Sequence, residues 1–166
     1  MKKIGAFVGK FLPPHIGHIS IVDKMLKECD EAVVVISDNP DKSKELCKQD
    51  NFPYFDSKER VNWFKQYYSG NKKLHFAIID ESVISKDSNF MEEYAKLFGK
   101  CVPYKVNVKY ADESYRELNE LYFPTCTFVA IDRDAINIHG TDIRKDFEKN
   151  KQFVLKQARE DIEKRI

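Results

Sequence analysis

The stretch IGAFVGKFLPPHIGH, Ile4 to His18, decides how the chain is built. Its apolar opening, residues 4–8, is a short run bounded by a glycine and fits a strand buried on both faces. GKFLPPHIGH, Gly9 to His18, follows directly and opens a helix. Gly9 allows close approach of the backbone to a ligand, Pro13 and Pro14 stiffen the turn, and the N–H groups at the helix start make a phosphate site. His15 and His18, three apart with Gly17 between them, face one side of the entry turn, and Lys10 and Phe11 share the loop. Two imidazoles and an ammonium in one place suit transfer of a phosphate-bound group. In such a reaction the protein chiefly aligns the reactants and neutralises charge on phosphate oxygens.

Outward from this stretch, β-branched runs recur at residues 32–37, 74–79, 104–109 and 126–131. Amphipathic helical patterns fill the intervals at 18–28, 58–68, 89–98 and 113–121, with Asp56, Ser57 and Asp112 as N-caps. The alternation predicts an α/β fold, a Rossmann-like doubly wound sheet of about five parallel strands with helices on both faces. Thr141 begins a short helix, and residues 150–166 read as a charged terminal helix packing as an extension of a single domain spanning 1–166. Residues 38–56 read as one long irregular loop, a length associated with function or mobility. Ligands of open α/β sheets bind beyond the carboxyl ends of the strands, so the site is expected after residues 8, 37, 79, 109 and 131.

Composition narrows the function classes. Twenty-eight basic against 27 acidic residues leave a net charge of +1, which provides no global field for nucleic acid or an anionic membrane. Cys29, Cys47, Cys101 and Cys126 are too widely spaced for a zinc ribbon and suggest free thiols in a reducing compartment. The opening MKKIGAFVGKF reaches Gly, Lys and Pro before a leader-length apolar run forms, which points to a cytoplasmic protein. No segment approaches a membrane span, and no clustered carboxylates suggest a resident metal.

The second informative segment is DRDAINIHGTDIR, Asp132 to Arg144, after the last predicted strand. Thr141 stands at another helix N-terminus and Arg144 on the same face one turn on, placed to clamp phosphate opposite Lys10. A guanidinium matches phosphate geometry in a way an ammonium does not.

These residues resemble the HxGH nucleotidyltransferase superfamily, and most closely its NadR-type nicotinamide-nucleotide adenylyltransferase domain. The resemblance rests on GKFLPPHIGH and IHGTDIR. It is supported by ERVNWF at 59–64, YADESY at 110–115 and the IDRD before the second motif. It implies that His15 and His18 contact the phosphates of ATP and stabilise the transition state, in a cradle of Gly9, Lys10, Phe11 and Gly17. Gly140, Thr141 and Arg144 would hold the β- and γ-phosphates, with Asp132 and Arg133 near the nucleotide. The implied reaction joins ATP and nicotinamide mononucleotide, or nicotinate mononucleotide, into NAD or its acid analogue and pyrophosphate by direct in-line attack, with Mg2+ arriving on ATP. Homo-oligomers are common among relatives.

For the second substrate, Arg60 is the candidate for the mononucleotide phosphate, Trp63 for stacking on a cationic ring, and Tyr54 for closing over the base. Trp63 also falls on a helical apolar stripe with Val61, Phe64 and Tyr68, which is the pattern of core packing. The chain departs from the superfamily pattern at His139, which replaces the usual Ser, and it has no GxxxxGK[ST] for a kinase activity. Competing readings are a phosphopantetheine adenylyltransferase, a CTP-dependent cytidylyltransferase, the HIGH-bearing core of an aminoacyl-tRNA synthetase, and a nucleotide sensor without turnover.

Overall fold

β1 (Ile4–Gly9) is hydrogen-bonded on both sides, to β2 (Glu31–Asp38) and to β4 (Val108–Asp112), and everything else is arranged around it. The computed structural model describes residues 1–132 and 137–166. β3 (Leu74–Asp80) lies outside β2 and β5 (Thr127–Ile131) outside β4, giving an all-parallel sheet in the order β3-β2-β1-β4-β5. The chain leaves β1 toward one edge through β2 and β3, then returns to β4 on the other side. β1 and β4 therefore flank the switch point where open α/β sheets carry their ligands.

Both faces of the sheet are covered most fully at its centre, which is why β1 and the middle of β2 are apolar. Ala32, Val33, Val34, Val35 and Ile36 of β2 are all fully buried. Phe7, Val34 and Ile36 pack with α1 (Ile16–Glu28), α3 (Ser57–Tyr67) and α8 (Lys156–Arg165) through Val22, Met25, Phe64 and Ile162. Ala6, Val33, Val35 and Ile79 face α4 (Phe90–Cys101) through Tyr94 and Phe98. α5 (Arg116–Tyr122) precedes β5, and α6 (Gly140–Lys145) and α7 (Phe147–Asn150) follow it.

Three expectations from the sequence are corrected. The stretch read as one loop over 38–56 contains α2 (Pro40–Gln49), whose N-cap Asn39 accepts a hydrogen bond from the Lys42 N–H and whose first residue is proline. Only Ser43 and Cys47 of that helix are buried, so its apolar stripe is faint. The fourth strand runs over Val108–Asp112 rather than 104–109. The Asn107 side chain accepts from the Ile4 N–H and donates to the Lys2 carbonyl, while Tyr104 stacks on His75, so the ladder begins only at Val108. The single helix expected over 150–166 is interrupted: Val154 bridges to His15 and the Leu155 N–H donates to the Pro14 carbonyl before α8 starts. α8 belongs to the core, with Ala158 and Ile162 fully buried. Among the described residues no helix is long and apolar enough to cross a membrane.

Candidate active site

The loop leaving β1 is held by packing and by two buried arginines. Phe11 adopts a φ of 53°, a left-handed conformation unusual for a bulky residue. Its ring is packed edge-on against Phe7, His18 and Phe64. A Cβ at Gly9 would stand 3.0 Å from the Phe11 ring, so glycine is needed there to seat that ring. Arg60 Nη1 donates to the Lys10 carbonyl at 2.6 Å, and Arg144 Nη1 donates to the Leu12 carbonyl at 2.8 Å. Each guanidinium has its own carboxylate: Asp38 pairs with Arg60 and Asp50, the C-cap of α2, pairs with Arg144 at 2.9 Å. Fixing the loop carbonyls from below orients the backbone that a phosphate would meet.

His15 and His18 cap α1 reciprocally. The Gly17 N–H donates to His15 Nδ1 and the His15 N–H donates to His18 Nδ1, each at 3.1 Å, and the rings stack at 3.7 Å. A nitrogen that accepts a backbone N–H carries no proton, so each neutral ring has its proton on Nε2. The cap thus fixes the tautomer of both imidazoles. Gly17 is required by the same geometry, because a Cβ there would stand 2.8 Å from His15 Cε1. The first turn of α1 holds no acidic residue, leaving its N-terminus positive.

The second motif docks on the first through the backbone. α6 starts at Gly140, where a Cβ would come within 3.1 Å of the Leu12 carbonyl oxygen. His139 is its N-cap, and its N–H donates to Asp142. Arg144, 8% exposed, commits Nε to Asp50 and Nη1 to Leu12, while Nη2 donates to Thr141 Oγ1 at 3.3 Å. A guanidinium braced on two sides presents its third nitrogen in a fixed direction, which is what a triphosphate clamp requires.

A cavity of about 750 Å3 opens over the switch point. Gly9, Lys10, Phe11, His15, Gly17 and His18 line it from the first motif, and Asp132, His139, Gly140, Thr141 and Arg144 from the second. Arg133 lies outside the described residues. The structure does not bring Arg60, Trp63 and Tyr54 to the cavity. Arg60 is fully buried, its charge balanced by Asp38, so it supports the Lys10 backbone rather than meeting solvent. Trp63 packs on Phe55 and donates Nε1–H to Asp161 of α8 at 2.7 Å. Tyr54 lies against Arg60 and Lys44, with its hydroxyl 3.5 Å from Asp38, to which Ser43 also donates.

In their place, the α4 side of the cavity is lined by Ser37, Glu81, Phe90, Tyr94, Lys109 and Phe123. Tyr94 stacks on Phe90 and donates to Ser37 Oγ at 3.1 Å, and burial pushes its hydroxyl pKa up to about 12. Burial pushes the Lys109 ammonium down to about 8. The sequence carried a signal for Lys109, since a lysine inside a strand covered on both faces needs a reason to be there. Asp38 and Asp50 carried none, because their partners are 22 and 94 residues away.

A parallel sheet with two helix starts at its switch point, joined through one loop and opening on a shared cavity, is the architecture of a nucleotidyltransferase. The chain belongs to the cytidylyltransferase-like family, whose model residues 6–165 match. It is 31% identical over 148 residues to a probable nicotinate-nucleotide adenylyltransferase of Sulfurimonas denitrificans, covering 83% of this chain and 74% of that one. Among solved structures it shares the fold of a NadR protein in complex with NR, with a TM-score of 0.73 at 19% identity. It likewise shares the fold of a bifunctional NMN adenylyltransferase/ADP ribose pyrophosphatase from Francisella tularensis complexed with AMP and a manganese ion, with a TM-score of 0.64 at 18% identity. Each covers 93% of this chain, while the chain spans 43% and 45% of their lengths.

Proposed function

We propose that the chain is an adenylyltransferase joining ATP to the phosphate of a pyridine mononucleotide, nicotinamide or nicotinate mononucleotide, with release of pyrophosphate. The observation that carries this reading is the meeting of the two motifs at the Leu12 carbonyl, to which Arg144 donates and against which Gly140 packs. This contact puts the α1 and α6 starts on one cavity.

In the proposed reaction an oxygen of the acceptor phosphate attacks the α-phosphorus of ATP. A new P–O bond forms as the bond from the α-phosphorus to the bridging oxygen breaks, and the electron pair leaves with pyrophosphate. No bond to the enzyme forms. His15 and His18 supply Nε2–H donors, and Lys10 an ammonium, to oxygens on which negative charge grows. Thr141 and Arg144 hold the β- and γ-phosphates, so the leaving group departs into a positive setting. Magnesium is proposed as the companion of ATP, where it neutralises phosphate charge. Phosphate oxygens and water would carry the ion, as is usual for magnesium on a nucleoside triphosphate.

The relative from Sulfurimonas denitrificans supports a pyridine-nucleotide acceptor by its name. The test is pyrophosphate release from MgATP with nicotinamide mononucleotide, nicotinate mononucleotide or phosphopantetheine, and from MgCTP with glycerol phosphate. Release with a pyridine mononucleotide, matched by formation of the dinucleotide, is the expected result. Release with phosphopantetheine or glycerol phosphate alone would replace the acceptor, and nucleotide binding without release from any acceptor would replace catalysis by sensing.

A further inference from the structure

The α4 side of the cavity holds a cation that neither motif uses. Lys109 stands in β4 and is only 6% exposed. Its Nζ lies 3.4 Å from the centre of the Phe123 ring and 4.7 Å from that of Phe98, and the half-buried Cys126 thiol acts on its charge. Among the described residues no carboxylate comes within ion-pair distance of it. Ring faces attract a cation, but by less than the hydration that burial removes. A buried ammonium at the wall of a ligand cavity is balanced when the ligand brings an anion.

The register says which part of the ligand that is. Lys109 is paired with Ala6, three residues before the end of β1 at Gly9. At ~3.3 Å per residue this is roughly 10 Å below the strand ends where the phosphates gather. The group that reaches Lys109 therefore lies at the far end of the acceptor from its reacting phosphate. Phe90, Tyr94 and Phe123 provide flat apolar surface along the way.

We propose that Lys109 selects an acceptor whose base carries a carboxylate, pairing with that group and making nicotinate mononucleotide, not nicotinamide mononucleotide, the preferred acceptor. The assignment rests on the reading of the chain as a pyridine-nucleotide adenylyltransferase. Near neutral pH the ammonium remains the main form despite its burial, so the charge is present when the acceptor arrives.

The test compares kcat/KM for the two mononucleotides at saturating MgATP in the wild type, Lys109→Met and Lys109→Gln, with thermal melting of each. The wild type is expected to favour the nicotinate form at least ~10-fold, and the ratio of the two constants to fall at least ~30-fold in both variants, the scale on which one partner of a buried charge pair is lost. Lys109→Met is expected to melt no lower than the wild type, because it replaces an unpaired buried charge with an apolar chain of similar length. A wild type that prefers the nicotinamide form, or an unchanged ratio in folded variants, would overturn the role of Lys109 while leaving pyridine-nucleotide adenylyl transfer standing. A wild type that turns over neither mononucleotide would remove both.

Discussion

Two residues of the first motif show how a helix cap becomes part of a site. His15 and His18 accept the N–H groups of Gly17 and His15, and that duty decides which nitrogen of each ring bears a proton. The pairing was legible in the sequence because a spacing of three on a helix start brings side chains together. The duty of Arg144 was legible only in part. Its place on the α6 face followed from GTDIR, whereas the Asp50 and Leu12 contacts that aim it come from elements far away in the chain. These contacts yield a prediction: Arg144→Lys retains the charge but cannot reach Leu12, Asp50 and Thr141 together, so kcat/KM for ATP should fall on the order of 10²-fold. Steady-state kinetics with varied ATP check this, and a change of less than ~3-fold would show that the fixed guanidinium is not what the triphosphate needs.

The elements carry the main differences between expectation and structure. α2 leaves a weak trace in the sequence because its apolar side chains amount to Leu46 and Cys47, even though Asn39 and Pro40 spell a helix start. The same helix helps to set the surroundings of Arg60. With α2 in place, Asp38, Ser43 and Tyr54 gather around the guanidinium and take it out of reach of any substrate. Strand number, order of elements and the apolar faces of α1 and α3 were readable because period and burial agree there. Pairing between α3 and α8 was not, since it depends on where a terminal helix is interrupted. Trp63 tests that pairing. Trp63→Phe removes the Nε1–H bond to Asp161 and should cost about 1–2 kcal/mol, lowering Tm by roughly 2–8 °C, with KM for the acceptor unchanged. A tenfold rise in that KM at unchanged Tm would return Trp63 to the binding site.

At the scale of the whole molecule, β1 connects core and chemistry. It pairs with strands on both sides, its residues are buried against helices on both faces, and the loop it launches is fastened by arginines from α3 and α6. Substrates placed at its end meet donors whose directions are fixed before binding, which is the condition for electrostatic stabilisation of a transition state. In the proposed reaction the cavity divides its tasks, with the two motifs assigned to the triphosphate and the α4 side to the acceptor. The measurement that tests this most directly is acceptor-dependent pyrophosphate release by His18→Ala beside the wild type, with melting curves for both. The account predicts turnover lower by about 10²-fold or more in a protein that melts within a few degrees of the wild type, because the half-buried ring adds little to the core. Wild-type turnover in a folded His18→Ala protein would contradict it.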